Sequence, residues 1–290
     1  DYRLLARVLV ARFAAPLLSV IDPTQTAFLP DRWIGDNVLL HLEEVSYLRD
    51  SGAPSCIVFL DFEKAYDRVD RPWLFSVMRA LHFPARALLW AQLMLSGCTA
   101  MVSLNGFYSS AFPLARSVQQ GSPLSVLLYA IAAQPLAAAL RRAAQQGVCR
   151  PLLLPGGSPA PICHQHADDT TIHVLAPRDA AAALAGPVAD FCAASNARLH
   201  LGKCKGLLFG EQGSIDSVSR VCRECGVRFP PPEEPIRHLG IHLGADPAAA
   251  VEATYRARLA AVRDAAALPW WCTTPLLCAP PLPFGAALWG

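Results

Sequence analysis

The stretch Ile162-Cys163-His164-Gln165-His166-Ala167-Asp168-Asp169-Thr170-Thr171-Ile172-His173-Val174 reads as two short strands meeting at an acidic turn. Upstream, the run Cys56-Ile57-Val58-Phe59-Leu60 is continuously apolar and then turns acidic at Asp61, the pattern of a buried strand whose end opens into a cleft. Carboxylates gathered at strand ends repel one another. Two like charges about 4 Å apart, at an effective dielectric of about 20, cost about 4 kcal/mol. Such a cluster calls for divalent cations. Hard oxygen ligands suit Mg²⁺, and two ions of that kind can clamp the attacking and leaving oxygens of a phosphoryl displacement. An isolated Asp-Asp pair is equally a turn signal, so the reading depends on what surrounds it.

With 53% hydrophobic and 17% charged residues the chain is globular, which excludes a disordered binding segment. A net charge of +2 neither demands nor excludes a nucleic-acid partner, because a local basic cleft matters more than the sum. No signal peptide is legible, and the cysteines read as reduced thiols, so an intracellular location, nuclear or cytoplasmic, is expected. Residues 123–140 form an uncharged run of about membrane length. They include Gln134 and Pro135 and are flanked by Gly121 and Arg141-Arg142. We read a buried core helix and expect no membrane partner.

In chain order, Tyr2 to Val20 has helical apolar spacing, with Pro16 ending or kinking the helix. A breaker-rich loop holds Gln25, Phe28 and Arg32, the last either a solvated charge or a phosphate ligand. Asp36 or Asn37 is expected to cap a helix with Val38, Leu42 and Val45 inward. After Asp61, Asp70 reads as the N-cap of a helix with Pro72 in its first turn, and Pro84 opens another through Leu95. Asn105-Gly106 signals a hairpin between residues 99–104 and 107–112. Ser122 and Pro123 start a helix running toward Gly147, whose free N–H groups suit a phosphate or a sugar. A helix from Asp179 is interrupted at Gly186-Pro187 and ends near Arg198, and Leu199 to Phe209 reads as a strand carrying Lys203 and Lys205.

Taken in this order, the chain resembles the reverse transcriptases of non-LTR (LINE-type) retrotransposons. Leu60-Asp61-Phe62-Glu63-Lys64-Ala65-Tyr66-Asp67 is similar to the first catalytic motif, residues 116–125 (Arg-Ser-Val-Gln-Gln-Gly-Ser-Pro-Leu-Ser) to the second and Ala167-Asp168-Asp169 to the third. Residues 197–205 look like the lysine-bearing fourth and His238-Leu239-Gly240-Ile241 like the fifth, while Gln25, Phe28, Arg32, Asp36 and Asn37 match the upstream fingers motif. The resemblance implies an α+β right-hand polymerase fold, an antiparallel palm sheet with helices on one face and interleaved fingers. Fingers would occupy about residues 1–52 and 84–118, palm about 53–83 and 119–245. Residues 246–290 would be a truncated thumb start and a Pro-rich uncharged tail.

It further implies that Asp61, Asp168 and Asp169 bind two Mg²⁺ ions, with Mn²⁺ as a possible substitute. Tyr66 would lie under the nucleotide sugar, where a 2′-hydroxyl would collide with its ring. Gln120 and Gly121 would floor the pocket, Arg32 would hold the triphosphate, and Lys203 would protonate pyrophosphate. The implied partners are an RNA template, a DNA primer and deoxynucleoside triphosphates. Departures from the family pattern are His166 for an aromatic residue, Val126 for Pro, His200 for Asn and Ala27 for Gly. With the uncharged tail, and no endonuclease segment expected before Asp1, they raise an alternative: a truncated, catalytically silent relic that binds nucleic acid or nothing. A third reading is a zinc-dependent DNA-binding module. Cys222, Cys225, His238 and His242 have Cys₂His₂ spacing. Pro230, Pro231, Pro232 and Pro235 stand where the finger helix should be, so zinc is not expected at these four residues.

Overall fold

A computed structural model describes residues 2–52, 54–210 and 226–267. They divide into two compact units, with the boundary between Pro231 and Pro232. In the first, four antiparallel strands form a sheet in the order β6 (Cys163–His166), β7 (Asp169–Val174), β1 (Ser55–Leu60), β8 (Lys205–Phe209). The apolar run upstream of Asp61 becomes β1, buried along its whole length. Ile57, Val58 and Leu60 each contribute about 1.5–3 kcal/mol of transfer free energy there.

Side chains alternate across the sheet. Cys56, Val58, Leu60, Cys163, Ile172 and Val174 face a core completed by Leu136 and Leu140 of α6 (Pro123–Gln145), Ala180 of α7 (Pro177–Ala183) and Phe191 of α8 (Ala189–Ser195). A ring from outside the sheet joins this core: a Cβ on Gly206 would meet Phe229 Cε1 at 2.2 Å, so only glycine lets the ring lie on β8. The first half of α6 belongs to a second core with α1 (Tyr2–Leu17), α4 (Arg71–Ala80) and α5 (Ala85–Leu95), built on Leu9, Leu17, Leu74, Met78 and Ile131. By length and composition α6 could cross a membrane; here its side chains are largely buried between the other elements.

The opposite sheet face carries Ile57, Phe59, His164, Thr171 and His173, by the register Ile57↔His173, Phe59↔Thr171 and His164↔Thr171. Helix α2 (Ile34–Ser51) covers it, so helices are not confined to one face as expected. The buried face of α2 is Asn37, His41, Glu44, Val45 and Leu48, with Leu42 turned outward, because these polar groups find partners on the strands. The helix begins before the expected caps: Asp36 is its third residue and accepts from Trp33 N–H at 3.0 Å.

Other expectations hold locally. Asp70 accepts from Trp73 N–H at 3.1 Å with Pro72 in the first turn of α4. Asn105 (φ 50) and Gly106 (φ 83) form the left-handed turn of a hairpin whose strands are short: β3 (Ser103–Leu104) pairs with β4 (Phe107–Tyr108), and β2 (Thr99–Ala100) with β5 (Phe112–Pro113). Two expectations are corrected. Gly186-Pro187 does not interrupt the helix but is absorbed in a π-helical turn, Leu184–Val188, between α7 and α8, where a widened turn spares the proline ring its clash with the preceding carbonyl. And β8 starts at Lys205, so Lys203 lies in a turn.

In the second unit β9 (Ile236–His238) and β10 (Ile241–Leu243) form a hairpin followed by α9 (Pro247–Ala267). Thr254 of that helix accepts from His242 N–H at 2.9 Å.

Candidate active site

The β1–β7 register places Leu60 opposite Thr170. Continued by one residue, it sets Asp61 against Asp169, with Asp168 in the adjoining turn. The backbone of Asp61 is held on both sides: its carbonyl accepts from His200 N–H at 2.9 Å, and its N–H donates to Cys204 Sγ at 3.4 Å. The three carboxylates therefore meet where β1, β7 and the turn before β8 end together. Their mutual repulsion is visible at Asp169. Loss of surrounding water, then the charges of Asp168 and Asp61, push its pKa up from 3.8 to about 6. Among the described residues no basic side chain forms an ion pair with any of the three. An acidic cluster without a protein counter-ion, made wholly of carboxylate oxygens, fits hard divalent cations.

The turn bearing Asp168 is strained and clamped. Ala167 has φ 56, a left-handed conformation unfavourable for a residue with a Cβ. Buried Gln25 grips it from both sides, Oε1 accepting from Ala167 N–H (2.9 Å) and Nε2 donating to its carbonyl (3.3 Å). The adjacent backbone runs beside β6, with Thr26 N–H donating to Gln165 O and Gln165 N–H to Thr24 O. His166, in the place of the family's aromatic residue, lies 3.0 Å by Nδ1 from Thr26 Oγ1, and burial lowers its pKa against the opposing charge of Asp168. Gln25 stood in a recognised motif, but its role as clamp was not legible because its partner is 142 positions away.

Tyr66 lies in the short helix α3 (Ala65–Arg68), its ring stacked on Tyr129 of α6 at 4.7 Å. Burial, then the nearby charge of Asp168, raises its pKa to about 12. Tyr129, also buried, is raised by burial and by Asp168, Tyr66 and Asp169. Sequence reading missed Tyr129; the available signal was an aromatic residue alone in an aliphatic helix. Val118 N–H donates to Tyr66 O at 3.0 Å, which ties the exposed Gln120–Gly121 loop to the same end of the sheet. Lys203 is exposed, two residues before the Phe59↔Lys205 pair and so beside the Asp61 end of β1. Arg32 is occupied elsewhere. It donates to the carbonyls of Ile21 (3.1 Å), Asp22 and Gln25 (2.7 Å), and a phosphate could claim it only by releasing that loop.

Of the Cys₂His₂ set, Cys222 and Cys225 lie outside the described residues. His238 pairs with Ile241 and His242 with Arg237, so the two imidazoles leave opposite faces of the hairpin. They do not converge on one ion, against the zinc-module reading.

The sequence model for "Reverse transcriptase (RNA-dependent DNA polymerase)" matches residues 1–243. The chain is 28% identical over 248 residues to the Transposon TX1 uncharacterized 149 kDa protein of Xenopus laevis, covering 85% of this chain and 18% of that one. In Drosophila melanogaster it is 33% identical over 128 residues to the retrovirus-related Pol polyprotein from type-2 retrotransposable element R2DM, covering 43% and 12%. It is 38% identical over 78 residues to the RNA-directed DNA polymerase from mobile element jockey, covering 27% and 8%. The chain thus spans less than a fifth of the length of these relatives. With a family match over nearly the whole described chain and relatives from non-LTR retrotransposons, the chain belongs to the reverse transcriptase family.

Proposed function

We propose that the chain is the polymerase core of a retrotransposon protein, adding deoxynucleotides to a primer 3′-hydroxyl on an RNA template. In this reading the four-stranded sheet and its helices are the palm (about residues 53–83 and 119–245), the fingers are about residues 1–52 and 84–118, and residues 246–290 begin a thumb. The observation that carries it is the convergence of Asp61, Asp168 and Asp169 with Asp169 raised to about 6. Asp61, Asp168 and Asp169 would hold two Mg²⁺ ions, with Mn²⁺ able to replace them. Bound there, such ions would supply Lewis acidity that favours ionisation of the primer hydroxyl and offsets charge on the pyrophosphate leaving group. Tyr66, held flat by Tyr129, walls the sugar subsite and rejects a 2′-hydroxyl. Gln120 and Gly121 line the same pocket, and Lys203, exposed in the turn before β8, is the proton donor for the leaving group. The triphosphate role of Arg32 requires it to exchange three carbonyls for phosphate oxygens.

That occupation of Arg32 favours a second reading, a silent relic. Primer extension on an RNA template with Mg²⁺ separates the two. The first reading expects extension by the wild type and its loss in Asp168→Asn. A well-folded wild type that extends nothing leaves the relic.

A further inference from the structure

Behind the acidic turn, on the sheet face covered by α2, a second constellation is formed by Glu44, His164 and His173. The Glu44 side chain is 5% exposed and both imidazoles 0%. Glu44 Oε2 lies 2.7 Å from His173 Nδ1 and Oε1 lies 3.5 Å from His164 Nε2. One ligand atom from each of the three residues falls within 4.8 Å of the others. The two imidazoles meet edge to face, with ring centroids 4.5 Å apart.

Glu44 and His173 are within ion-pairing distance, but hydrogen-bonding geometry in this cluster is poor. Neither nitrogen of His164, neither carboxylate oxygen of Glu44, nor Nδ1 of His173 has a partner in hydrogen-bonding geometry. His173 Nε2 is engaged, 2.9 Å from Thr171 Oγ1, which also lies 3.0 Å from His41 Nε2. That contact orients the His173 ring and leaves Nδ1 as the nitrogen facing Glu44. Burial, and then His173, lower the pKa of His164, favouring a neutral ring with a free lone pair. Burial alone would raise the pKa of Glu44, but His173 and His164 together hold it below the usual carboxylate range. One buried carboxylate and two buried imidazoles thus share a single pocket, and a cation among them would offset the cost of burying these polar groups together.

We propose that Glu44, His164 and His173 bind one zinc ion that fastens α2 to the sheet behind the catalytic turn. Two imidazole nitrogens with one carboxylate oxygen are a donor set of zinc, with a water as the usual fourth ligand, whereas Mg²⁺ prefers an all-oxygen shell. Zinc–ligand bonds of about 2.0–2.2 Å place tetrahedral donors roughly 3.3 Å apart. Shifts of about an ångström in the three side chains therefore suffice. Thr171, with His41 behind it, supplies the outer contact that fixes the tautomer of His173, as metal-bound histidines require. A site so buried loads as the chain folds. His164 lies four positions before Asp168 and His173 four positions after Asp169, so the ion would brace both strands of the acidic hairpin. The inference stands on these side chains alone and does not rest on polymerase activity.

The test is metal analysis of the purified full chain together with zinc-edge X-ray absorption. The expected result is about one zinc per chain with nitrogen and oxygen neighbours, an imidazole signature and no sulfur shell. It should be retained in Cys222→Ser, His242→Ala and Asp168→Asn and lost in Glu44→Gln and His173→Leu. Chelation should lower the unfolding temperature of the wild type, and zinc should restore it. A wild type that holds no zinc and whose melting ignores both chelator and zinc overturns the proposal without any variant. So does a sulfur shell, or zinc that disappears with Cys222→Ser.

Discussion

Replacing Asp169 by Asn should stabilise the metal-free protein at neutral pH, although it removes a residue from the proposed centre. The pKa of Asp169 is pushed from 3.8 to about 6 in the folded state. A carboxyl whose folded pKa is raised contributes stability that is fully present below its unfolded value and is lost as pH rises through the folded value. Above about pH 6 the native state therefore carries the repulsion in full. About two pK units correspond to about 3 kcal/mol. The residue is open to solvent on one side, and screening reduces the realised effect to about 1 kcal/mol. For a unit of about 200 residues that is a rise in melting temperature of roughly 2–4 °C. The assay is thermal unfolding in EDTA, with Mg²⁺ then titrated in. At about pH 7.5 Asp169→Asn should melt above the wild type, and at about pH 2.5 the two should coincide, because Asp169 is then largely protonated in both folded and unfolded chains. Mg²⁺ should raise the wild type more than the variant, since it binds through the charge that the variant lacks. The reasoning fails if Asp169→Asn melts at or below the wild type at the higher pH, or if its advantage persists undiminished in acid.

Gln25→Ala removes both grips on Ala167 and leaves buried backbone groups without partners, so urea unfolding should register a loss of about 2 kcal/mol. Activity should fall with it, because the Asp168 turn loses its clamp. Tyr66→Ala should narrow the preference for deoxynucleotides over ribonucleotides by on the order of tenfold, about 1.4 kcal/mol, read from primer extension with each. An unchanged ratio would remove Tyr66 from the sugar subsite. Gly206→Ala drives a methyl into Phe229 and should cost about 1–3 kcal/mol in urea unfolding.

The apolar run into Asp61, the paired Asp168 and Asp169, the Asp70 cap with Pro72 and the Asn105-Gly106 turn were legible because each follows from local chemistry: an unbroken apolar stretch of strand length, capping of free N–H groups, and backbone conformations few residues tolerate. The polar face of α2 was not. Val38, Leu42 and Val45 looked like its inner stripe, but Asn37, His41 and Glu44 are buried because Gln165, Thr171 and His173, more than a hundred residues on, answer them. The occupation of Arg32 and the stacking of Tyr66 on Tyr129 were likewise invisible, since each depends on carbonyls or rings delivered by another segment.

The sequence alone therefore determined which elements form and which residues carry the acidic chemistry, because helix, strand and turn preferences are settled within a few neighbours. Tertiary structure decided what those residues meet: the β1–β7 register that brings Asp61 to Asp169, the Gln25 clamp, and the Glu44–His164–His173 constellation under α2. Contacts between distant segments depend on the register and docking of whole elements, and no local pattern encodes these.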